Sequence, residues 1–435
     1  MNKYKGLLLG LAVGAAGLNM RAPITSLPPL FPELSSRLQL SSATLSLLAA
    51  TPVICFGLGA AFAASLSRRF GEERVVAAGL VAATAGLLLR GLWPGTMLFP
   101  GTIIATGAIA LLNVLLASLI KRRWPERAGL GIGIFLSGLS VGAILASLLS
   151  VPVYNASGDS VRLALGLWAA PAAIAAVLWL PQLGQIETAL RPPTPAGNRG
   201  GLGGIVPPGT QVPPRIHRIQ VHRFALAWQV TAFMGLQSLL YYAALSWLPT
   251  MFRDRGDSAV TAGNLLALMG VGNLATSMLV PVLAQRLVDR GRGQHVLVVP
   301  NLLGVGAGLA GSVWAPLGSA PGWVLLLGIC QGSCLGLAIF FTMARAPDPA
   351  TAASLSGLAQ AVGYLVASAG PLALGLLHSA TGGWDVPFVV LIVITGVELG
   401  AGLLAGRHRV VPRHPLADTR VGIRSGVSWV AVVDS

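Results

Sequence analysis

The sequence predicts an all-α membrane protein of twelve transmembrane helices in two six-helix bundles. Three observations carry this expectation. Of the 435 residues, 54% are hydrophobic and only 10% are charged, against about 25% charged in an ordinary soluble domain. Apolar runs long enough to cross a bilayer, which takes about 20 residues per helix, recur twelve times. One long break rich in Pro and Gly divides those runs six and six.

The runs lie at about residues 6–31, 42–66, 74–92, 97–120, 127–150 and 161–181 before the break, and at about 220–248, 260–285, 295–314, 321–344, 351–378 and 384–406 after it. The first is interrupted by Arg21, Pro23, Pro28 and Pro29. It is too long for a cleaved signal peptide and is expected to stay in the protein. Residues 182–219, including "RPPTPAGNRGGLGGIVPPGTQVPPRIHR", lack helical periodicity and read as a flexible cytoplasmic linker. The expected organisation is an N-terminal bundle at 1–181, the linker at 182–219, a C-terminal bundle at 220–406 and a cytoplasmic tail at 407–435. A tail of that length leaves no room for a soluble catalytic module.

Orientation follows from the cations, because basic loops are retained on the cytoplasmic side. Of the 29 Lys and Arg residues, Arg37, Arg162, Arg253 and Arg255 fall in one set of loops, Arg21 and Arg90 fall inside spans, and the rest fall in the other loops and the two termini. Both termini are therefore expected in the cytoplasm, as in a multi-pass protein of a bacterial inner membrane. The net charge of +15 reflects the same asymmetry, with "KRRWPER" at 121–127 as its densest stretch. Nucleic-acid binding is the competing reading of such clusters, and basic loops beside apolar spans point to topology instead. Trp93, Trp247, Trp314, Trp323 and Trp384 near outer ends, with Trp124 and Trp179 near inner ends, suit an interfacial aromatic belt.

Catalytic and cofactor chemistry finds little footing. The six histidines (217, 222, 295, 378, 408 and 414) lie in loops, the tail or span ends, and none joins Cys or carboxylate at metal-ligand spacing. Cys330 and Cys334 stand one helical turn apart and suit helix packing better than soft-metal binding, since no third ligand accompanies them. No G-x-x-x-x-G-K-[ST] phosphate loop occurs. The expectation is no enzyme, no cofactor and no metal, with the lipid bilayer and a small solute as partners. Two six-span halves joined by a cytoplasmic loop suit a secondary transporter whose site lies between the halves.

Arg21 is the residue that most needs a reason. A cation near mid-span costs about 2.5–3.5 kcal/mol on insertion scales and normally faces protein or water. Its helical stripe, Gly14, Gly17, Arg21, Thr25 and Pro28, is small or polar rather than lipid-facing, which favours a cavity over a side chain snorkelling outward. Span seven aligns Gln237 with Tyr241 and Ser238 with Tyr242 at i, i+4 spacing. Span eleven aligns Gly357, Gln360, Tyr364 and Pro371. Asn113, Asn264, Asn273 and Gln331 add single amides, each of which also fits interhelical hydrogen bonding. Together they suggest one fixed cation among neutral donors and acceptors, suited to a small anion or a polar aromatic.

"GLNMRAPITSLPPLFPEL" in span one, "KRRWPERAGLGIG" after span four, "LAWQVTAFMGLQSLLYYAALSWLP" in span seven and "RAPDPATAASLSGLAQAVGYLVASAGPLALGLLHSATGGWDVPF" around span eleven resemble the cyanate and nitroimidazole transporter family of the major facilitator superfamily. The resemblance covers nearly all twelve spans. It implies the major facilitator fold, alternating access by rocking, and small solutes such as cyanate or nitroimidazoles. It also places Asn19 and Arg21 on the family's N-x-R element. The superfamily's loop motif G-x-x-x-D-R-x-G-R-R reads here as "ASLSRRFGEER", with Arg68 in place of Asp and Glu72 and Glu73 in place of the basic pair. The substrate-contact candidates are then Asn19, Arg21, Thr25, Asn113, Gln237, Tyr241, Tyr242, Gln331, Gln360 and Tyr364.

Coupling is open at this point. Glu398 is the only acidic residue well inside a span, so facilitated diffusion, exchange and proton coupling all stand. Import, efflux of a drug or metabolite, and a non-transporting sensor are the alternatives that residues alone leave in play.

Overall fold

The computed structural model describes residues 3–190, 220–407 and 409–412. Most of the predicted linker and tail, with His217, His408 and His414, lie outside the described residues. Within them the chain is helical, with no strand. The first half holds α1 (Lys3–Thr25), α2 (Phe31–Leu38), α3 (Ser42–Phe70), α4 (Glu72–Leu92), α5 (Pro94–Arg123), α6 (Ala128–Ala156), α7 (Val161–Gly166) and α8 (Ala169–Leu190). The second holds α9 (Ala225–Asp254), α10 (Ala259–Asp289), α11 (His295–Trp314), α12 (Ala320–Ala344), α13 (Pro349–Ala367), α14 (Ala369–Thr381) and α15 (Asp385–Ala405).

Three predicted spans are broken. Span one ends as a helix at Thr25, turns through a 3-10 segment at Pro28–Leu30, and restarts as α2. Pro28 and Pro29 lack the N–H that a continuing helix would bond, and both stand at the entry to the 3-10 segment, where none is needed. Span six starts as the six-residue α7 and breaks before α8, which then runs to Leu190, past the residue 181 where the span was placed. Span eleven breaks at Ser368, just before Pro371. Elsewhere side-chain caps start helices where the sequence offers them: Ser41, Ser258 and Asp348 accept from the backbone N–H groups of Thr44, Thr261 and Thr351.

Among the described residues, ten stretches are long and apolar enough to cross a membrane by composition alone. The two long helices outside that set are α1 and α9, which carry polar residues such as Arg21, Gln237 and Tyr241. Those same two helices bring the candidate site together, and with them the spans number twelve.

Packing within each half relies on close approach. Gly138 and Gly142 of α6 lie against the backbone of Gly14 and Leu18 of α1, where any Cβ would collide. In the first half α1 also packs on α8, and α4 on α5 and α8. In the second, α10 packs on α12, and α9 on α13 and α15. The halves meet through α3 against α13 and α14, and through α6 against α10. Large apolar side chains such as Leu303, Val177 and Phe62 stay exposed on the outer faces, as lipid contact requires.

The aromatic belt is narrower than the sequence suggests. Trp93 and Trp314 are exposed at helix ends, whereas Trp124, Trp179, Trp247 and Trp384 are buried. Their N–H groups explain part of this. Trp247 donates to Pro371 O at 2.9 Å, and Trp384 to Asp254 Oδ2 at 2.9 Å, so both tie helices together rather than anchor to headgroups.

The altered loop motif is also resolved. Glu73 pairs with Arg123 at 3.0 Å and with Arg122, and Glu72 pairs with Arg122 at 3.2 Å. The acidic start of α4 is thus clamped to the basic end of α5, with the charges reversed from the superfamily pattern.

Candidate functional site

α1 carries Arg21 to the seam between the halves. Its Nη1 donates to the Tyr241 hydroxyl of α9 at 2.7 Å. The guanidinium carbon also lies 5.0 Å from the Tyr241 ring centroid and 5.7 Å from that of Tyr242, within cation–π range. Tyr241 and Tyr242 meet edge to face at 5.3 Å, Tyr242 meets Tyr364 of α13 at 6.4 Å, and Tyr364 rests on Phe56 of α3 at 5.6 Å. A continuous aromatic wall therefore runs from the cation back to the first half.

Arg21, Tyr241, Tyr242 and Tyr364 line one cavity together with Gln237, Ser238, Asn273 and Leu335. Seven of the eight come from the second half; Arg21 alone comes from the first. The lining holds one cation, amides and hydroxyls, and no carboxylate. It measures about 10 Å3, whereas a single water needs roughly 10–15 Å3 on the same measure, so the lining side chains stand close together around it.

The other candidates stand elsewhere. Asn19 donates to Ala15 O at 2.8 Å and to Pro171 O at 2.9 Å, which fastens α1 to α8. Thr25 lies within reach of Arg21 O at 3.1 Å and Ala143 O at 3.2 Å and packs α1 on α6. Asn113 is half-buried on α5, away from the cavity lining. Gln360 donates to Ser356 Oγ at 2.9 Å along its own helix. Gln331 is buried on α12 one turn before Leu335, with neither side-chain polar atom hydrogen-bonded to a described residue. Of the ten candidates, five line the cavity: Arg21, Gln237, Tyr241, Tyr242 and Tyr364.

Three lining residues, Ser238, Asn273 and Leu335, were not among the ten candidates. Ser238 accepts from Gln237 Nε2 at 2.6 Å, and its i, i+4 pairing with Tyr242 was the available signal. Asn273 was visible only as one amide among several, and Leu335 carries no signal. Arg90 is the other surprise. Its side chain is fully buried, and Nη1 donates to Pro23 O at 2.9 Å while Nε and Nη2 have no partner among the described residues. α1 stops two residues past Pro23, which frees that carbonyl, so Arg90 caps the broken helix end at its negative pole.

At the α2 end, Arg253 of α9 pairs with Glu33 of α2 at 2.7 Å, and Phe31 meets Trp247 at 5.6 Å. Both contacts join the two halves. Glu398 lies in the second half, buried on α15 outside the cavity lining, with its Oε1 hydrogen-bonded to no described residue. Among the described residues, no three His, Cys, Asp or Glu side chains converge as metal ligands.

A search against family models matches residues 7–371 to the Major Facilitator Superfamily. The chain belongs to the major facilitator superfamily. Among curated superfamily members, it is 33% identical over 405 residues to the 2-nitroimidazole transporter of Escherichia coli (strain K12), covering 93% of this chain and 96% of that one. It is 30% identical over 382 residues to the cyanate transport protein CynX of the same organism, covering 87% and 92%. An uncharacterized transporter of Bacillus subtilis (strain 168), YycB, is 33% identical over 393 residues, covering 90% and 92%. Among solved superfamily structures, a bacterial homolog of the human lysosomal transporter Spinster, in an inward-facing and unoccupied conformation, superposes with a TM-score of 0.75. That match is at 17% identity over 95% of this chain and all of the other, and so speaks to the fold.

Proposed function

We propose that this protein is a cell-membrane carrier that moves small anionic or electron-rich polar solutes, of the size of cyanate or a nitroimidazole, by alternating access. The observation that carries this reading is the Arg21–Tyr241 bond. It places the cation of one half against the hydroxyls of the other, around a cavity that offers an incoming cation no carboxylate. A solute acceptor competes with Tyr241 for the same N–H. The names of the relatives support the substrate class.

The rocking units are the bundles at 1–181 and 220–406, with both termini on the cytoplasmic face. In that orientation the Glu33–Arg253 pair and the Phe31–Trp247 contact seal the outer side. Direction of net flux follows the gradients, since a carrier with two access states works both ways.

Counterflow in proteoliposomes tests the proposal. Liposomes preloaded with cyanate, nitrate, 2-nitroimidazole or a small carboxylate should accumulate the labelled solute transiently, and Arg21→Ala should abolish that accumulation. Binding that stabilises the protein without counterflow would point to a sensor and overturn the transport reading.

A further inference from the structure

Buried amides are ordinarily hydrogen-bonded, and one left without a partner calls for an explanation. Asn273 lines the cavity from α10, and its Nδ2 is buried with no hydrogen-bond partner among the described residues. It is also held in place. Gly332 of α12 packs directly on the Asn273 backbone, where a Cβ would collide with its carbonyl oxygen and Cα. Three residues back on α10, Gly270 packs against Ile144 of α6, in the other half. The stretch of α10 that carries the amide is thus packed on both sides, and Asn273 lines the same cavity as Arg21.

We propose that Asn273 is a specificity-determining residue whose amide N–H donates to one end of a small anion while Arg21 holds the other. This rests on the transport reading above. A single-atom anion satisfies Arg21 and leaves the amide unpaired. An anion with acceptors at both ends satisfies both donors, one from each half, and helps draw the halves together. The site therefore favours two-ended anions over halides, because rejection follows when a buried polar group loses its partner.

The test is labelled cyanate uptake into proteoliposomes, with chloride as the single-atom competitor, for wild type, Asn273→Leu and Asn273→Asp. Asn273→Leu should raise the KM for cyanate about ten-fold, the effect of one hydrogen bond to a charged group, and should narrow the preference for cyanate over chloride by a similar factor. Asn273→Asp keeps the shape but sets a carboxylate where the donor stood, and its cyanate uptake should fall at least as far. If Asn273→Leu is not recovered folded by size exclusion, Asn273→Asp and Asn273→Ser carry the same comparison. A KM within about two-fold of wild type in the folded variants overturns this inference alone, since that change is below one charged hydrogen bond. No uptake of any tested solute by wild type overturns the transport reading, and this inference with it.

Discussion

Arg21 and Tyr241 are separated by 220 positions in the chain and joined by a 2.7 Å hydrogen bond across the seam between the halves. An isolated guanidinium in a span would cost several kcal/mol. Here the cost is offset by one charge-assisted bond, two aromatic faces and a polar cage.

The first prediction concerns the geometry of that cation. Lysine carries the charge but not the planar fork, so it cannot lie over two tyrosine rings and bond a hydroxyl in the same pose. Arg21→Lys should lower uptake by roughly ten-fold or more, a loss on the scale of one charged hydrogen bond. Tyr241→Phe combined with Arg21→Lys should be less than additive, because both changes break the same bond. Uptake of the double variant equal to the product of the two single effects would remove the coupling.

Arg90 separates stability from function. Two of its three guanidinium nitrogens lack partners among the described residues, so desolvation of this charge is poorly offset and an apolar side chain of similar length escapes that cost. Arg90→Met should therefore melt no lower than wild type in detergent. It should also transport several-fold more slowly, because the end of α1 that carries Arg21 loses its cap on Pro23. A lower melting temperature with unchanged uptake would refute this.

The outer seal makes a charge-swap prediction. Glu33 and Arg253 are 14% and 23% exposed, so their pair is partly shielded from solvent. Glu33→Gln and Arg253→Gln should each increase, several-fold, the labelling of a cysteine placed at Ser238 by an impermeant reagent added outside. The double variant Glu33→Arg with Arg253→Glu should restore wild-type protection. Equal labelling in all four proteins would show that the pair does not hold the seal.

Glu398 yields an expected absence of effect. It lies outside the cavity beside Cys334, and Glu398→Gln preserves its shape. The response of uptake to an imposed pH gradient should be the same in Glu398→Gln and wild type. A gradient response lost in the variant would make this carboxylate the coupling group.

Much of the fold was legible because lipid imposes a simple rule on composition. Runs of about 20 apolar residues show where spans lie, and asymmetric cations suggest their direction. What that rule cannot show is where a span breaks. Pro28–Pro29 mark an interruption without showing that a second helix follows, and the short α7, VRLALG, runs on into apolar sequence that hides its break from α8. Arg21 announced itself because a charge in hydrocarbon needs a reason. Tyr241, Tyr242 and Tyr364 followed from polar stripes at helical spacing. Asn19 and Asn273 show where sequence runs out. Both are single amides in apolar helices, yet one is turned into a neighbouring backbone and the other into the cavity. Only the rotation of each helix against its partners decides between those fates, and that is settled by packing far along the chain.

Because the walls around Arg21 belong almost wholly to the second half, cargo preference should be a portable property of that half. A hybrid that grafts residues 220–406 onto the first half of a relative with its own arginine at the matching place should inherit this protein's choice of solute. The reciprocal graft should leave that choice behind.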